Sequence, residues 1–118
     1  MHTYVDALKD LLQSQANSAA AAPMKAYMRG QFEYLGIKTP QLRALQKQFY
    51  RESGLPVLDD LAGILIELWH LPAREFQYTA IGLLEKFTKD LPAAFIDPIE
   101  EMLTTKSWWD TVDSLAAN

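Results

Sequence analysis

Apolar residues recur at helical spacing along the whole chain, and proline or glycine repeatedly cuts the pattern. That combination fixes the fold class before any motif is considered. A three-to-four residue period places apolar side chains on one face of a helix, and the breakers set where each helix stops. Thr3 is read as the cap of a first helix with Tyr4, Leu8, Leu11 and Leu12 on its stripe, interrupted at Asn17 and Ser18. Pro23 is placed in the first turn of the next helix, which carries Met24, Tyr27 and Met28 and ends at Gly30. Thr39-Pro40 reads as a cap followed by proline, Leu42, Leu45 and Phe49 as the buried face, and Gly54 as the stop. Asp59 or Asp60 opens a helix with Leu61, Ile64, Leu65 and Leu68, ending at Trp69. After Leu71-Pro72, residues 73 to about 89 read as one helix with Phe76, Ala80, Leu83, Leu84 and Phe87 inward. Leu91-Pro92 breaks it, a shorter helix near 93–104 follows, and a last one begins at Ser107.

No segment reads as a strand. The expectation is an all-α chain of roughly seven helices, with the short connections of antiparallel neighbours. Sequential amphipathic pairs suit both an α-solenoid and a globular bundle. No exact repeat decides between them. The last helix stays apolar through Leu115-Ala116-Ala117, with no polar cap after it. That favours a truncated solenoid, whose exposed face could drive self-association.

At 118 residues and 49% hydrophobic content, one compact domain over 1–118 is expected. The absence of cysteine excludes disulfides and thiolate chemistry. No apolar run spans a bilayer and no secretory signal is visible, so a cytosolic protein without membrane contact is expected. His2 and His70 are too isolated to suggest a metal site, and no cofactor motif is present. The net charge of -4 is uneven. Residues 1–51 carry seven bases against three acids, and residues 52–118 four bases against twelve acids. A polyanion would therefore meet the first half. Arg43, Lys47 and Arg51 form a basic stripe there at i, i+4 and i+8, joined by Lys38 and Arg29. It is either a solvated face or a set of phosphate contacts.

The final helix carries the most chemistry. Ser107 is a good N-cap, with Asp110 placed to reach back to free amides. Trp108, Val112 and Leu115 form a core stripe, while Trp109 and Asp113 sit one turn apart on a neighbouring stripe. An indole beside a carboxylate suits a cationic group. Taken alone, such a pair is as readily core or solvated surface.

Three segments change that balance. They are Tyr34-Leu35-Gly36-Ile37-Lys38-Thr39-Pro40 with Arg43, Glu67-Leu68-Trp69-His70-Leu71-Pro72-Ala73-Arg74-Glu75-Phe76-Gln77, and Lys106-Ser107-Trp108-Trp109-Asp110-Thr111-Val112-Asp113. In this order and spacing the chain resembles the bacterial DNA alkylation repair family of AlkD-like glycosylases. The resemblance implies HEAT-like helical repeats curved around duplex DNA, and excision of purines alkylated at N7 or N3. It implies that this chain corresponds to the N-terminal half of a longer family domain. It assigns Asp113 to stabilise the oxocarbenium-like sugar and Trp109 to pack against the deoxyribose or the cationic nucleotide. Tyr27 matches a cleft aromatic, Trp108 stays in the core, and Lys38, Arg43 and Lys47 are candidates for DNA contact. Arg74 and Glu75 are expected to be structural. The other reading is a noncatalytic helical-repeat module binding DNA or a protein partner.

Overall fold

The computed structural model describes residues 2–30 and 32–87. Five helices form there: α1 (Thr3–Ser14), α2 (Ser18–Tyr27), α3 (Thr39–Ser53), α4 (Leu58–Trp69) and α5 (Arg74–Glu85). The only β feature among the described residues is an isolated bridge between Glu33 and Ala73. The expected helices near 93–104 and from Ser107 lie outside the described residues.

Helix α4 is the centre of the packing. Leu61, Ile64, Leu65, Leu68 and Trp69 are fully buried on it. It packs on α1 through Val5, Leu8 and Leu12, and on α5 through Phe76, Ala80, Leu83 and Leu84. Helix α5 in turn meets α3, which contributes Leu42 and Phe49. The apolar stripes of α1, α3, α4 and α5 therefore form the core, each burying one face against a neighbour's, while Met24 and Tyr27 of α2 stay outside it. The α4–α5 turn is closed by Gln77. Its Nε2 donates to the carbonyls of Trp69 and Leu71, both at 3.0 Å, and to that of Leu68 at 3.4 Å. These carbonyls lie at the end of α4 and in the turn after it, where intrahelical donors run out.

Several helix starts differ from the sequence expectation, each for a local reason. His2, not Thr3, caps α1: its Nδ1 accepts the Tyr4 N–H at 3.0 Å. The same residue's backbone N–H donates to Glu67 Oε1 at 2.8 Å, tying α1 to α4. Helix α2 begins at Ser18 and Pro23 lies inside it. Asn17 starts it early by accepting from Ala19 and Ala20 N–H, and the alanines that follow are strong helix formers. Lys38 is the N-cap of α3, so Thr39 and Pro40 are its first helical residues. Val57 precedes α4, which places Asp59 and Asp60 in its first turn, where they favour the positive end of the dipole. Helix α5 stops at Glu85, and Phe87 packs against the core from beyond its end.

The end of α2 is a Schellman motif. Gly30 N–H reaches the Lys25 carbonyl, Arg29 N–H reaches that of Ala26, and Arg29 holds φ 56. An arginine in the left-handed region costs about 1 kcal/mol relative to glycine. Gly36 is more tightly constrained. Its φ is 96, and a Cβ there would overlap the Asn17 carbonyl oxygen.

Two substitutions of opposite sign test this backbone. Gly36→Ala should cost roughly 2–4 kcal/mol in urea unfolding, whereas Arg29→Gly should add about 1 kcal/mol. Equal stability of the two variants would contradict the assigned strain.

Candidate functional site

The site is organised by a buried carboxylate in the first turn of α5. Glu75 is fully buried. Its Oε1 accepts the Leu35 N–H at 2.9 Å, and its Oε2 accepts Gly36 and Ile37 N–H at 2.9 and 3.1 Å. Three consecutive amides just ahead of α3 thus converge on one acid, which offsets the cost of burying its charge. Two further bonds lock the same loop. Asn17 N–H donates to the Leu35 carbonyl and Arg74 N–H to that of Glu33, both at 2.7 Å. The Arg74 guanidinium is also buried, 3.7 Å from the Phe32 ring centroid and 5.9 Å from that of Tyr78. Tyr78 and Tyr34 hydroxyls meet at 3.1 Å. Arg74 and Glu75 therefore have the structural roles expected of them.

This frame sets α3 beside α5 with a cavity of about 500 Å3 between them. Arg43, Gln46, Lys47 and Tyr50 reach it from α3, and Tyr78, Ile81, Gly82 and Glu85 from α5, with Lys86 just past its end. Gln46 is held in place by donating from Nε2 to Thr79 Oγ1 at 3.3 Å. The Tyr50 hydroxyl is buried without a hydrogen-bond partner among the described residues. Burial chiefly, then the Tyr4 hydroxyl and the Glu85 carboxylate, push its pKa well above the usual tyrosine range, so it stays neutral.

Of the sequence-selected residues, Arg43 and Lys47 line this cavity. Both side chains are exposed, and neither makes an ion pair among the described residues, whereas Lys25 is paired with Glu33 at 2.7 Å. Lys38 is exposed at the N-cap of α3, outside the cavity lining. Arg51 is exposed on α3, and Arg29 is exposed in the turn after α2. Tyr27 ends α2 and is 74% exposed. Asp113 and Trp109 lie outside the described residues, as do Trp108, Asp110 and Ser107. Lys86, Gln46, Tyr50 and Tyr78 were not singled out from sequence. Their signal was present as two helical stripes, residues 39, 42, 43, 46, 47 and 50 on one side and 78, 81, 82, 85 and 86 on the other. Those stripes mix polar, aromatic and apolar types, so a hydrophobic count passes over them.

Among the described residues, no group of three or more His, Asp or Glu side chains could hold a metal ion. No helix there is long and apolar enough to cross a membrane. The family model for DNA alkylation repair enzymes matches residues 8–118. The chain belongs to the DNA alkylation repair enzyme family. The solved structure of a predicted DNA alkylation repair enzyme from Enterococcus faecalis is similar in fold, with a TM-score of 0.78 and 31% sequence identity. The likeness covers 86% of this chain and 48% of that one, so the chain spans about half the length of the relative. No curated protein gives a significant match. Among the described residues the architecture is all-helical, which fits a helical-repeat fold of this family.

Two measurements test the frame. Glu75→Gln leaves one carbonyl oxygen and an N–H2 group facing three N–H donors, and should cost about 2–4 kcal/mol in denaturant unfolding. A loss within 0.5 kcal/mol, the usual scatter of surface changes, would mean the amides do not depend on the charge.

The second concerns alkaline pH. Burial pushes Tyr4 up to about 12 from its ordinary 10.0, and Tyr50 is shifted the same way. A pKa raised on folding gives stability that is complete below the unfolded value and lost as pH rises past it. Stability should therefore fall from pH 10 towards 12. Absorbance at 295 nm should show two tyrosines ionising only with unfolding. Ionisation of every tyrosine near pH 10 in a folded chain would contradict this.

Proposed function

We propose that this chain supplies part of a DNA glycosylase that removes cationic alkylated purines from duplex DNA. The carrying observation is the family match, which runs through residue 118 and so spans the Trp109–Asp113 motif. Exposed Arg43 and Lys47 at one cavity support contact with a phosphate backbone. Within this reading, residues 1–118 act as one stack of HEAT-like helices forming half of the family domain.

The chemistry follows from the substrate. Alkylation at N7 or N3 gives the purine a positive charge and makes it a good leaving group. The C1′–N bond breaks and its electron pair leaves with the base, now neutral. The sugar becomes oxocarbenium-like, and water adds at C1′ with loss of a proton, leaving an abasic site. Such a substrate needs a fixed anion and an aromatic surface more than a strong acid. Asp113 is assigned the anion and Trp109 the surface. Tyr27 extends the aromatic wall, while Arg43, Lys47 and Lys38 hold phosphates.

The test is release of 7-methylguanine from methylated duplex by the full-length protein of which this chain is proposed to be part. Asp113→Asn should slow it by about 100-fold or more, as for loss of one electrostatic stabiliser. Arg43→Gln and Lys47→Gln should each weaken duplex binding and lower the salt slope by about one. Undiminished release from Asp113→Asn removes that residue from the mechanism. Salt-dependent binding without base release from any duplex identifies a noncatalytic DNA-binding module instead.

A further inference from the structure

The α3–α5 cavity is larger than a phosphate contact requires. Its volume of about 500 Å3 falls within the range of small-molecule sites. Arg43 and Lys47 reach it from α3 and Lys86 from just past α5, with Glu85 the one carboxylate among the described lining residues. Lys86 Nζ also lies 6.0 Å from the Tyr50 ring centroid. The remaining wall includes Leu42, Ile81 and the tyrosines Tyr50 and Tyr78. Such a lining suits a ligand with a flat, partly apolar body and a doubly charged end.

Gly82 is the second observation. It lies inside α5, where glycine costs about 1 kcal/mol relative to alanine. A Cβ there would stand 2.9 Å from Gln46 Oε1. Gln46 Oε1 ends a flexible side chain, so admitting that Cβ shifts the amide and strains its 3.3 Å bond to Thr79. Alanine at this position would displace the amide of a side chain that forms part of the cavity wall.

We propose that this cavity binds a nucleoside carrying a terminal phosphomonoester, with the phosphate among Arg43, Lys47 and Lys86 and the base against the two tyrosines. Among the described lining residues, three cations and one carboxylate leave two positive charges, matching a phosphomonoester dianion better than the single charge of an internal phosphodiester. The group can come from a free nucleotide or from the 5′-phosphorylated end of a nicked strand. Only the second source rests on the DNA-repair reading. There it has a chemical place, because cleavage on the 3′ side of an abasic sugar leaves a 5′-phosphate.

Titration calorimetry of the full chain separates the cases. Deoxyguanosine 5′-monophosphate should bind at least tenfold more tightly than deoxyguanosine, or a nicked duplex with a 5′-phosphate should bind that much more tightly than the same nick with a 5′-hydroxyl. Preference for the mononucleotide assigns a free ligand, and preference for the nick assigns a strand end. Lys86→Gln should remove about tenfold of the affinity, the loss of one charge-assisted contact. Gly82→Ala should weaken binding comparably with Tm unchanged or raised. No preference for the phosphate in either pair overturns the proposal, as does wild-type affinity in both variants. None of these readings involves base release, so their failure leaves the glycosylase proposal standing, and loss of that proposal leaves the mononucleotide result intact.

Discussion

A single buried carboxylate holds the described architecture together. Glu75 is removed from water, yet three backbone amides of residues 35–37 point at its two oxygens. An isolated charge in that position would be strongly unfavourable, and the amides convert it into a fastening. The loop it fastens comes from the connection between α2 and α3, while the acid itself begins α5. Elements distant in sequence are thereby fixed to one another. Gly36 takes part twice, donating its amide to Glu75 and letting the Asn17 carbonyl approach where a Cβ would not fit.

The proposed phosphate-contact surface adjoins this arrangement. The fastened segment leads directly into α3, and the cavity lies between α3 and α5. Arg74 reinforces it from the neighbouring position by stacking on Phe32, with Tyr78 close by on the same helix. Tyr78 is at once part of this buried cluster and part of the cavity wall. The exposed cations are thus carried on a rigid base, which is what phosphate recognition at a defined spacing requires. This is the arrangement in which the proposed phosphate contacts of a DNA alkylation repair family member have a physical basis.

Much of the core was legible in the sequence because helical periodicity is a property of single side chains. Leu61, Ile64, Leu65 and Leu68 announce a buried face, and all four are fully buried. Boundaries were less legible because caps compete. Thr3 and Thr39 are good capping types, but His2 supplies a ring nitrogen for α1, and α3 begins from Lys38 with no side-chain cap at all. Pro23 suggested a helix start, and the alanines at 19–22 proved able to carry the helix through it from the Asn17 cap. The role of Glu75 could be suspected but its partners could not, since backbone amides carry no sequence signature. Lys86 escaped notice because its meaning comes from a cavity shared with α3. The motif that carries most of the proposed chemistry, Trp109 with Asp113, was read from resemblance and lies outside the described residues.

Native-state hydrogen exchange at Leu35, Gly36 and Ile37 tests the role of the Glu75 anchor most directly. These three amides should exchange as slowly as those in the buried middle of α4, because releasing them requires α5 to leave the loop. Exchange at the rate of an unstructured peptide, with α4 and α5 still protected, would show that the carboxylate does not hold the loop and that the placement of α3 has another cause.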